Sequence, residues 1–202
     1  MVVSRLPGLA RFLLRGPVAS GTVTPKIYTK TGDDGTTGLY FGGRVRKDSI
    51  QIDINGVVDE AQAAMGLARA ESGPGSELNE RLTALERELY VLMAEVATAP
   101  GNRRKLKAGS TLVTPDMVAA LEREIDHLRD RPDMPSEFTV PGENRCAASL
   151  DFARTIVRRA ERLAVQEPVE GSLVVQYLNR LSDLLWAMAR WQEGPDHKLS
   201  RG

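Results

Sequence analysis

Apolar residues recur at three- and four-residue spacing from Ser76 to Ala99, and this periodicity constrains the fold more than any other feature of the chain. A stripe with this period is typical of an amphipathic helix whose apolar face is turned towards a core. Ser76 stands directly before the stripe and is a good N-cap residue. The segment is therefore predicted to be a long, core-facing helix. The stripe consists of Leu78, Leu82, Leu85, Leu89, Leu92, Met93 and Val96.

Four further segments carry the same period or clear helix-boundary signals. Thr114 and Pro115, for example, supply an N-cap and a first helical position. Five helices of bundle length, joined mostly by short connections, predict an all-α antiparallel five-helix bundle. Residues 100–110 between them are predicted to be a solvated basic connector. The five predicted helices cover residues 44–71, 76–99, 114–129, 144–166 and 172–192.

Composition supports a helical core and excludes some function classes. Hydrophobic residues make up 42% of the 202 residues but aromatic residues only 5%, which favours packed helices over a sandwich or barrel. The 27 basic residues balance the 27 acidic ones, which argues against a general binder of nucleic acid or membrane surfaces. No apolar run approaches the roughly 18 residues needed to span a bilayer.

Cysteine and histidine are too scarce for a metal or disulfide framework. Cys146 is the only cysteine, so no internal disulfide can form, as suits a reducing compartment. Together with His127 and His197 it cannot complete a zinc-type ligand set. We therefore predict no metal site made of protein ligands alone.

Residues 1–25 differ from the rest of the chain. They contain three arginines and no acidic residue, and Asp33 is the first acid. Such a segment suits either an organelle transit peptide, which would place the protein in the mitochondrial matrix, or a bacterial extension of a cytoplasmic protein. The extension is favoured, because Pro7, Pro17 and Pro25 interrupt any helix. The predicted organisation is an extension at 1–25, one domain at 26–192 and a tail at 193–202.

The stretch YTKTGDDGTTG (28–38) holds three glycines, four threonines and two aspartates in eleven residues. Almost none of it suits a core. Composition alone leaves a mobile connector, a tight turn and a binding loop open.

A charged stripe runs along the fourth predicted helix, where three arginines would repel one another unless an anion faces them. A solvated face with a Glu161–arginine pair is favoured on spacing alone; a polyphosphate or interface role is the alternative. On the fifth helix, Asn179, Arg180 and Asp183 stand among apolar residues and must find partners. Ordinary interhelical hydrogen bonds are the favoured interpretation. The charged stripe consists of Asp151, Arg154, Arg158, Glu161 and Arg162.

Taken in order, the motifs KIYTKTGDDGTTGLYFGGRVRKD, GVVDE, FTVPG, ARTIVRRAER and YLNRLSDLLW resemble those of the PduO-type ATP:cob(I)alamin adenosyltransferases. The resemblance covers roughly residues 26–191. It implies a ferritin-like five-helix bundle that forms a homotrimer with active sites between subunits. It also implies transfer of the adenosyl group of ATP to cob(I)alamin, with Mg²⁺ on the triphosphate and adenosylcobalamin as product.

The resemblance assigns the glycine-rich loop and parts of the last two helices to ATP. Glycines let backbone N–H groups approach phosphates, and threonine and lysine add donors and charge. No protein nucleophile is implied, since the protein supplies positioning and electrostatics. The implied ATP-binding residues are Thr29, Lys30, Thr31, Gly32, Asp33, Gly35, Thr36, Thr37, Lys47, Arg158, Glu161, Arg162, Asn179 and Arg180.

Four residues are implied to be catalytic: Arg158, Asp59, Arg154 and Phe138. Asp59 matches an acid that pairs across the subunit interface with the arginine at position 154. Phe138 matches the phenylalanine that faces the corrin and keeps a ligand from the lower axial side of cobalt. A four-coordinate Co(II) is then easier to reduce to the nucleophilic Co(I).

The chain departs from the family pattern mainly at positions on the corrin side. Gln51 and Asp53 replace an arginine and a glutamate, and Glu143 and Asn144 follow Gly142 where a further glycine is usual. Asp151 replaces a histidine-like position, and the extra carboxylate is expected to alter cobalamin affinity or reductase docking.

One alternative to the enzyme hypothesis belongs to a different class. It is a non-catalytic carrier or sensor of ATP and cobalamin with the same fold. The implied partners of the enzyme are a flavoprotein reductase and a cobalamin-dependent mutase. Neither nucleic acid nor a membrane is among the expected partners.

Overall fold

Five α-helices account for most of residues 27–201, the part of the chain that the computed structural model describes. Two short 3-10 helices and two small antiparallel sheets complete it. The predicted helical character is confirmed. The α-helices are α1 (Ile50–Glu71), α2 (Glu77–Val96), α3 (Pro115–Arg129), α4 (Arg145–Gln166) and α5 (Val174–Glu193). The strands are β1 (Thr36–Gly38), β2 (Arg44–Arg46), β3 (Thr139–Val140) and β4 (Lys198–Leu199).

Helix starts follow the predicted caps. The Ser76 hydroxyl accepts a hydrogen bond from the backbone N–H of Asn79 at 3.1 Å, and the Thr114 hydroxyl accepts one from Met117 at 3.3 Å. Each cap satisfies one of the backbone donors left free at a helix start. Both predicted N-caps are therefore confirmed.

The predicted start of the first helix is wrong. Residues 44–46 form β2, paired with β1, so the first helix begins only at Ile50. The connector predicted at residues 100–110 is largely exposed, as predicted, and it includes a 3-10 helix, Pro100–Lys105. Both segments are held by hydrogen bonds between residues close in sequence. Such contacts produce no long apolar period that the sequence could show.

Helix α4 lies at the centre of the packing, with α1 along one side and α5 along the other. Helix α2 packs on α1, and α3 packs on α5. The predicted α2 stripe faces the shared core: its five leucines are buried, and Met93 and Val96 are partly buried against them. Aliphatic side chains fill most of this core, as the low aromatic content predicts.

A buried glutamate ties the end of α2 to its neighbours. Glu95 is 1% exposed and accepts from the Val113 backbone N–H at 2.8 Å, from Ser172 at 2.6 Å and from Arg103 at 2.9 Å. A buried carboxylate with three partners is satisfied and fixes the surrounding chain.

The segment predicted as a C-terminal tail has secondary structure of its own. After α5 ends at Glu193, a 3-10 helix spans Gly194–Asp196, and β4 pairs with β3 in the register Thr139↔Leu199 and Val140↔Lys198. The interpretations of residues 1–25 lie outside the described residues. None of the helices within residues 27–201 combines the length and the apolar character that crossing a membrane requires.

Tyr177 on α5 donates its hydroxyl to a glutamate of α2. The side chain is fully buried, and the hydroxyl lies 2.8 Å from Glu88 Oε2. Burial raises the pKa of Glu88, and the hydrogen bond from Tyr177 opposes that rise. We expect Tyr177→Phe to lower the free energy of unfolding at neutral pH by about 1.5–3 kcal/mol, the contribution of a hydrogen bond to a charged group. Urea denaturation measures the loss.

The penalty of Tyr177→Phe should shrink with acidification. Losing the hydroxyl raises the folded-state pKa of Glu88 further, so the penalty is full where Glu88 is ionised and falls as it becomes protonated. Tyr90→Phe is the matched control, because Tyr90 lies exposed on the same helix as Glu88 and should change stability by less than about 0.5 kcal/mol. Equal losses in the two variants would contradict the assigned hydrogen bond.

Candidate functional site

The glycine-rich loop is braced at its base by its own side chains. Asp34 Oδ1 accepts from the Thr36 backbone N–H at 2.9 Å and from the Thr36 hydroxyl at 2.7 Å. These hydrogen bonds hold the pKa of the Asp34 carboxyl below its usual value, with Arg44 adding to the effect. Arg44 also donates to Thr36 Oγ1 at 2.9 Å and to the Thr31 carbonyl at 2.5 Å. Two ends of the loop are thereby joined through one arginine.

Arg44 is a residue that the sequence analysis missed. It lies opposite Gly38 in the β1–β2 pairing, which brings its side chain back over the loop. The alternation of RVR after a glycine-rich turn was the available signal, but three residues are too few to establish a strand period.

The tip of the loop combines an exposed backbone with a nearby cation. Gly32 lies against Lys47, since a Cβ placed on Gly32 would meet the Lys47 ammonium at 3.2 Å. Lys30 adopts a left-handed backbone with φ of 62°, which is uncommon for a non-glycine residue. The Thr29 and Thr31 hydroxyls lie 2.8 Å apart. Asp33 and Gly35 are exposed, and Thr37 lies half-buried in β1 opposite Val45. Backbone, hydroxyl and ammonium donors thus occupy one small segment.

The base of this hairpin is attached to the helical core. The backbone N–H of Tyr40 donates to the Ala97 carbonyl at the end of α2, at 2.9 Å. Leu39 beside it is buried.

Part of the charged stripe of α4 forms a hydrogen-bonded chain with α5. Glu161 Oε1 accepts from Asn179 at 3.0 Å, and Asn179 Oδ1 accepts from Arg180 at 2.6 Å. Arg180 also donates to Glu122 of α3 at 2.8 Å. The interhelical hydrogen bond predicted for Asn179 is confirmed. Within residues 27–201, Glu161 binds Asn179 and no arginine, so the pair expected for a merely solvated face does not form there. Asp183 is exposed.

Arg158 and Arg162 of the stripe have no acidic partner among residues 27–201. Arg158 is exposed, and only its carbonyl is engaged, by Arg162 Nη1 at 3.2 Å. Unpaired guanidinium groups of this kind are suited to bidentate contact with an anion such as a phosphate.

Arg154 binds within its own helix. Its Nε donates to Asp151 Oδ1 at 3.1 Å, and Asp151 is only 4% exposed. Asp59 is exposed on α1 and makes no ion pair with Arg154 inside the described chain. The two residues implied to pair across a subunit interface are thus not paired within one subunit.

Phe138 stands directly before β3 and is 81% exposed. Its carbonyl accepts from the Ser200 backbone N–H at 2.7 Å. Between residues 27 and 201, no hydrogen bond or ion pair joins the Phe138 segment or the α4 stripe to the glycine-rich loop. One chain therefore presents these groups as separate exposed elements.

The residues that depart from the family pattern have structural partners. Asn144 caps α4 by accepting from the Ala147 N–H at 2.8 Å, and it donates to the Gln192 carbonyl at 2.9 Å. Gln51 donates to the carbonyls of Val96 and Thr98 at the end of α2. Glu143 pairs with Lys198 at 3.2 Å. Asp53 lies exposed in the first turn of α1, where an acid favours the helix dipole.

The extra carboxylate of Asp151 is engaged by other side chains of the chain, and its effect on cobalamin affinity or reductase docking stays a prediction. Asp151 is buried and bound to Arg190 Nη2 at 2.5 Å as well as to Arg154. Arg190, 1% exposed, is a second residue that the sequence analysis missed. A lone arginine inside the apolar run WAMARW was the signal, because a charge so placed needs buried partners.

Metal-binding groups are not clustered in the described part of the chain. Within it, no set of three or more His, Cys, Asp or Glu side chains could hold a metal ion. Cys146 is buried, and burial raises the pKa of its thiol, so the thiolate form is disfavoured.

Comparison with known proteins agrees with these motifs. The family model described as cobalamin adenosyltransferase matches residues 27–192. A corrinoid adenosyltransferase of Bacillus subtilis is 42% identical over 173 residues, covering 82% of this chain and 85% of its own. One from Citrobacter freundii is 37% identical over 171 residues, covering 83% and 95% respectively.

Solved structures extend the likeness to the fold. A variant of the PduO-type ATP:corrinoid adenosyltransferase from Lactobacillus reuteri, complexed with cobalamin and ATP, superposes with a TM-score of 0.77 at 29% identity. The match covers 88% of this chain and 97% of that one. Because the family model spans most of the chain and relatives above 30% identity cover most of its length, the chain belongs to the cobalamin adenosyltransferase family.

Proposed function

We propose that this protein transfers the 5′-deoxyadenosyl group of ATP to the cobalt of cob(I)alamin, forming adenosylcobalamin and releasing triphosphate. The observation that carries the proposal is the α4 stripe, where Arg158 and Arg162 lack acidic partners among the described residues and lie beside the Glu161–Asn179–Arg180 chain. The family membership and the corrinoid adenosyltransferases named above support ATP as the adenosyl donor, and we assign its triphosphate to the stripe.

The reaction is a substitution at the ribose 5′ carbon. The cobalt electron pair of Co(I) forms the Co–C5′ bond, the C5′–O5′ bond breaks, and its electron pair leaves on the triphosphate. Negative charge therefore grows on the leaving group. Arg158 and Arg162 stabilise that charge, because fixed guanidinium groups are strongest where charge develops and water is excluded.

The glycine-rich loop supplies the second set of phosphate contacts. Lys30 and Lys47 add charge, the hydroxyls of Thr29, Thr31, Thr36 and Thr37 add donors, and Gly32 and Gly35 expose backbone N–H groups. Asp33 at the exposed tip suits the ribose hydroxyls or the metal of Mg·ATP. Arg44 holds the loop base in the shape that these contacts need.

Phe138 supplies the apolar contact on the corrin side. Its exposed ring has the size and character to cover the lower axial face of cobalt and exclude a water ligand. Co(II) without that ligand is reduced more easily to the nucleophile. The protein's part in the chemistry is exclusion and orientation, while cobalt performs the bond formation.

A homotrimer with sites between subunits completes the proposal. Asp59 is exposed and unpaired within the described chain, and Arg154 uses only its Nε internally. An Asp59–Arg154 pair between subunits would bring the loop, the stripe and Phe138 together from neighbouring bundles of five antiparallel helices.

Mg²⁺ fits this site only as part of Mg·ATP. The described residues do not build a metal-ligand set of their own, and Mg²⁺ in nucleotide sites is held largely by phosphate oxygens and water. The steps above are therefore assigned to side chains alone. A reductase that supplies Co(I) and a mutase that uses the product are the proposed partners.

The proposed activity is tested by incubating the protein with ATP, Mg²⁺ and chemically reduced cob(I)alamin. The visible spectrum should change to that of adenosylcobalamin, in proportion to the triphosphate released. Intact ATP binding without adenosylcobalamin would overturn the enzyme and favour a carrier. If calorimetry detects no binding of ATP, both the enzyme and the carrier hypotheses are wrong.

Loop closure makes a separate prediction. We expect Mg·ATP to slow proteolytic cleavage within residues 28–38, because phosphate contacts order the exposed tip. Limited proteolysis with and without Mg·ATP measures the protection, and cleavage in the 72–75 turn serves as an internal control. An unchanged cleavage rate at 28–38 would count against a phosphate-binding role of the loop.

A further inference from the structure

Two segments distant in sequence are joined by several independent contacts. We call residues 136–144 the Phe138 loop and residues 190–200 the C-terminal clamp. Strands β3 and β4 pair between them, and the Ser200 N–H donates to the Phe138 carbonyl at 2.7 Å. Three side-chain contacts add to this pairing. They are Arg190 Nη1 to Thr139 Oγ1 at 2.5 Å, Asn144 Nδ2 to the Gln192 carbonyl at 2.9 Å and Lys198 to Glu143 at 3.2 Å.

Arg190 is the fixed point of the clamp. It is almost completely buried and lies between two carboxylates, with Nη2 at 2.5 Å from Asp151 and 2.9 Å from Glu193. A buried guanidinium without partners would be strongly destabilising, so these contacts hold it in one orientation. Its Nε lies 2.8 Å from the second carboxylate oxygen of Glu193, and Nη1 is thereby aimed at Thr139, the residue next to Phe138.

The same cluster reaches the α4 stripe. One oxygen of Asp151 binds Arg190 and the other binds Arg154 at 3.1 Å. A single carboxylate therefore connects the Phe138 loop to Arg154, the arginine of the proposed intersubunit pair. A shift of the loop would change the contacts of both arginines.

Phe138 depends on this support because its own side chain packs against little. With 81% of the residue exposed, apolar contacts cannot fix its position. Its carbonyl and the backbone and side chain of Thr139 are all bound by the clamp. The position of the Phe138 backbone, and with it the point from which the ring projects, is therefore set by the clamp.

We propose that the C-terminal clamp positions Phe138 at the corrinoid, with Arg190 as its principal positioning residue. This inference rests on the proposed role of Phe138 in the transferase reaction. It assigns a function to residues 193–202, which otherwise resemble a tail. It also explains why Glu143, Asn144 and Asp151 replace other residue types: each is a contact of the clamp or its anchor.

The test compares Ser200→Pro with Ser200→Ala in the full chain. Proline removes the N–H that binds the Phe138 carbonyl, and alanine keeps it. Hydrogen exchange of the β3 amides should rise about tenfold in the proline variant, the effect of one lost hydrogen bond, and stay unchanged in the alanine variant. A chain ending at His197, which lacks β4, should show a larger rise.

Kinetics give the second readout. In Ser200→Pro and the shortened chain, the KM for the corrinoid should rise several-fold while the KM for ATP stays unchanged. Unchanged exchange of β3 would overturn the clamp. Faster exchange with unchanged corrinoid kinetics would also overturn the positioning role, and would place Phe138 away from the corrinoid. A wild-type protein without any transferase activity would instead refute the proposed function, whatever the exchange result.

Discussion

Arg158→Ala should lower turnover on the order of 10²–10³-fold, the usual loss when one stabilising donor is removed from developing transition-state charge. The side chain is exposed and has no acidic partner within residues 27–201, so its removal breaks no internal ion pair. Alanine is also a strong helix former. Helix content by circular dichroism should therefore equal that of the wild type, while kcat/KM for adenosylcobalamin formation falls.

Arg159→Ala is the matched control for this loss. Arg159 is the neighbouring exposed arginine, and it pairs with Glu60 of α1. Losing that exposed pair should cost no more than about 1 kcal/mol of stability and leave turnover close to that of the wild type. Unchanged activity in Arg158→Ala, or equal losses in both variants, would show that Arg158 is not a phosphate contact.

Phe138→Ala should slow the reaction that starts from Co(II) and a supplied reductant on the order of 10²-fold, because the ring no longer excludes the axial ligand that makes cobalt harder to reduce. The ring is largely exposed, so its removal leaves the core intact. ATP affinity by calorimetry should be unchanged. The reaction that starts from chemically reduced Co(I) should be affected much less, because the ring acts mainly before reduction.

Comparing the two starting oxidation states separates the role of Phe138 from a general defect. Equal loss from Co(II) and Co(I) would indicate damage to the fold and contradict the assigned role. Phe152→Ala makes the same chemical change at an exposed phenylalanine of α4. It should leave the ratio of the two rates as it is in the wild type.

The sequence predicted the helices well because their signals are local. The caps at Ser76 and Thr114 and the leucine stripe of α2 depend on residues three or four apart. Motif order also identified the family, and the comparisons confirm it. The interhelical role of Asn179 followed from a simpler rule, that a polar group among apolar neighbours needs a partner.

What the sequence could not predict depends on distant pairs. Arg190 and Asp151 are 39 positions apart. Strands β3 and β4 are also far apart in sequence, and each is too short to show an apolar period of its own. The β1–β2 pairing, and with it Arg44, was hidden by strands of three residues. The ion pairs of Asp151 with two arginines were also not predicted. The assignments of individual residues to ATP and corrinoid remain predictions.

The brace at the base of the glycine-rich loop has a consequence for affinity. Arg44 already joins the Thr31 and Thr36 ends, and Tyr40 is bound to the end of α2. Immobilising a residue costs about 1–2 kcal/mol of backbone entropy, so a loop tethered in this way loses freedom only at its tip when the nucleotide binds. If the proposed phosphate contacts form, more of their energy then remains as affinity for the nucleotide. In a fully flexible segment, more of that energy would be offset by the entropy lost when the segment becomes ordered.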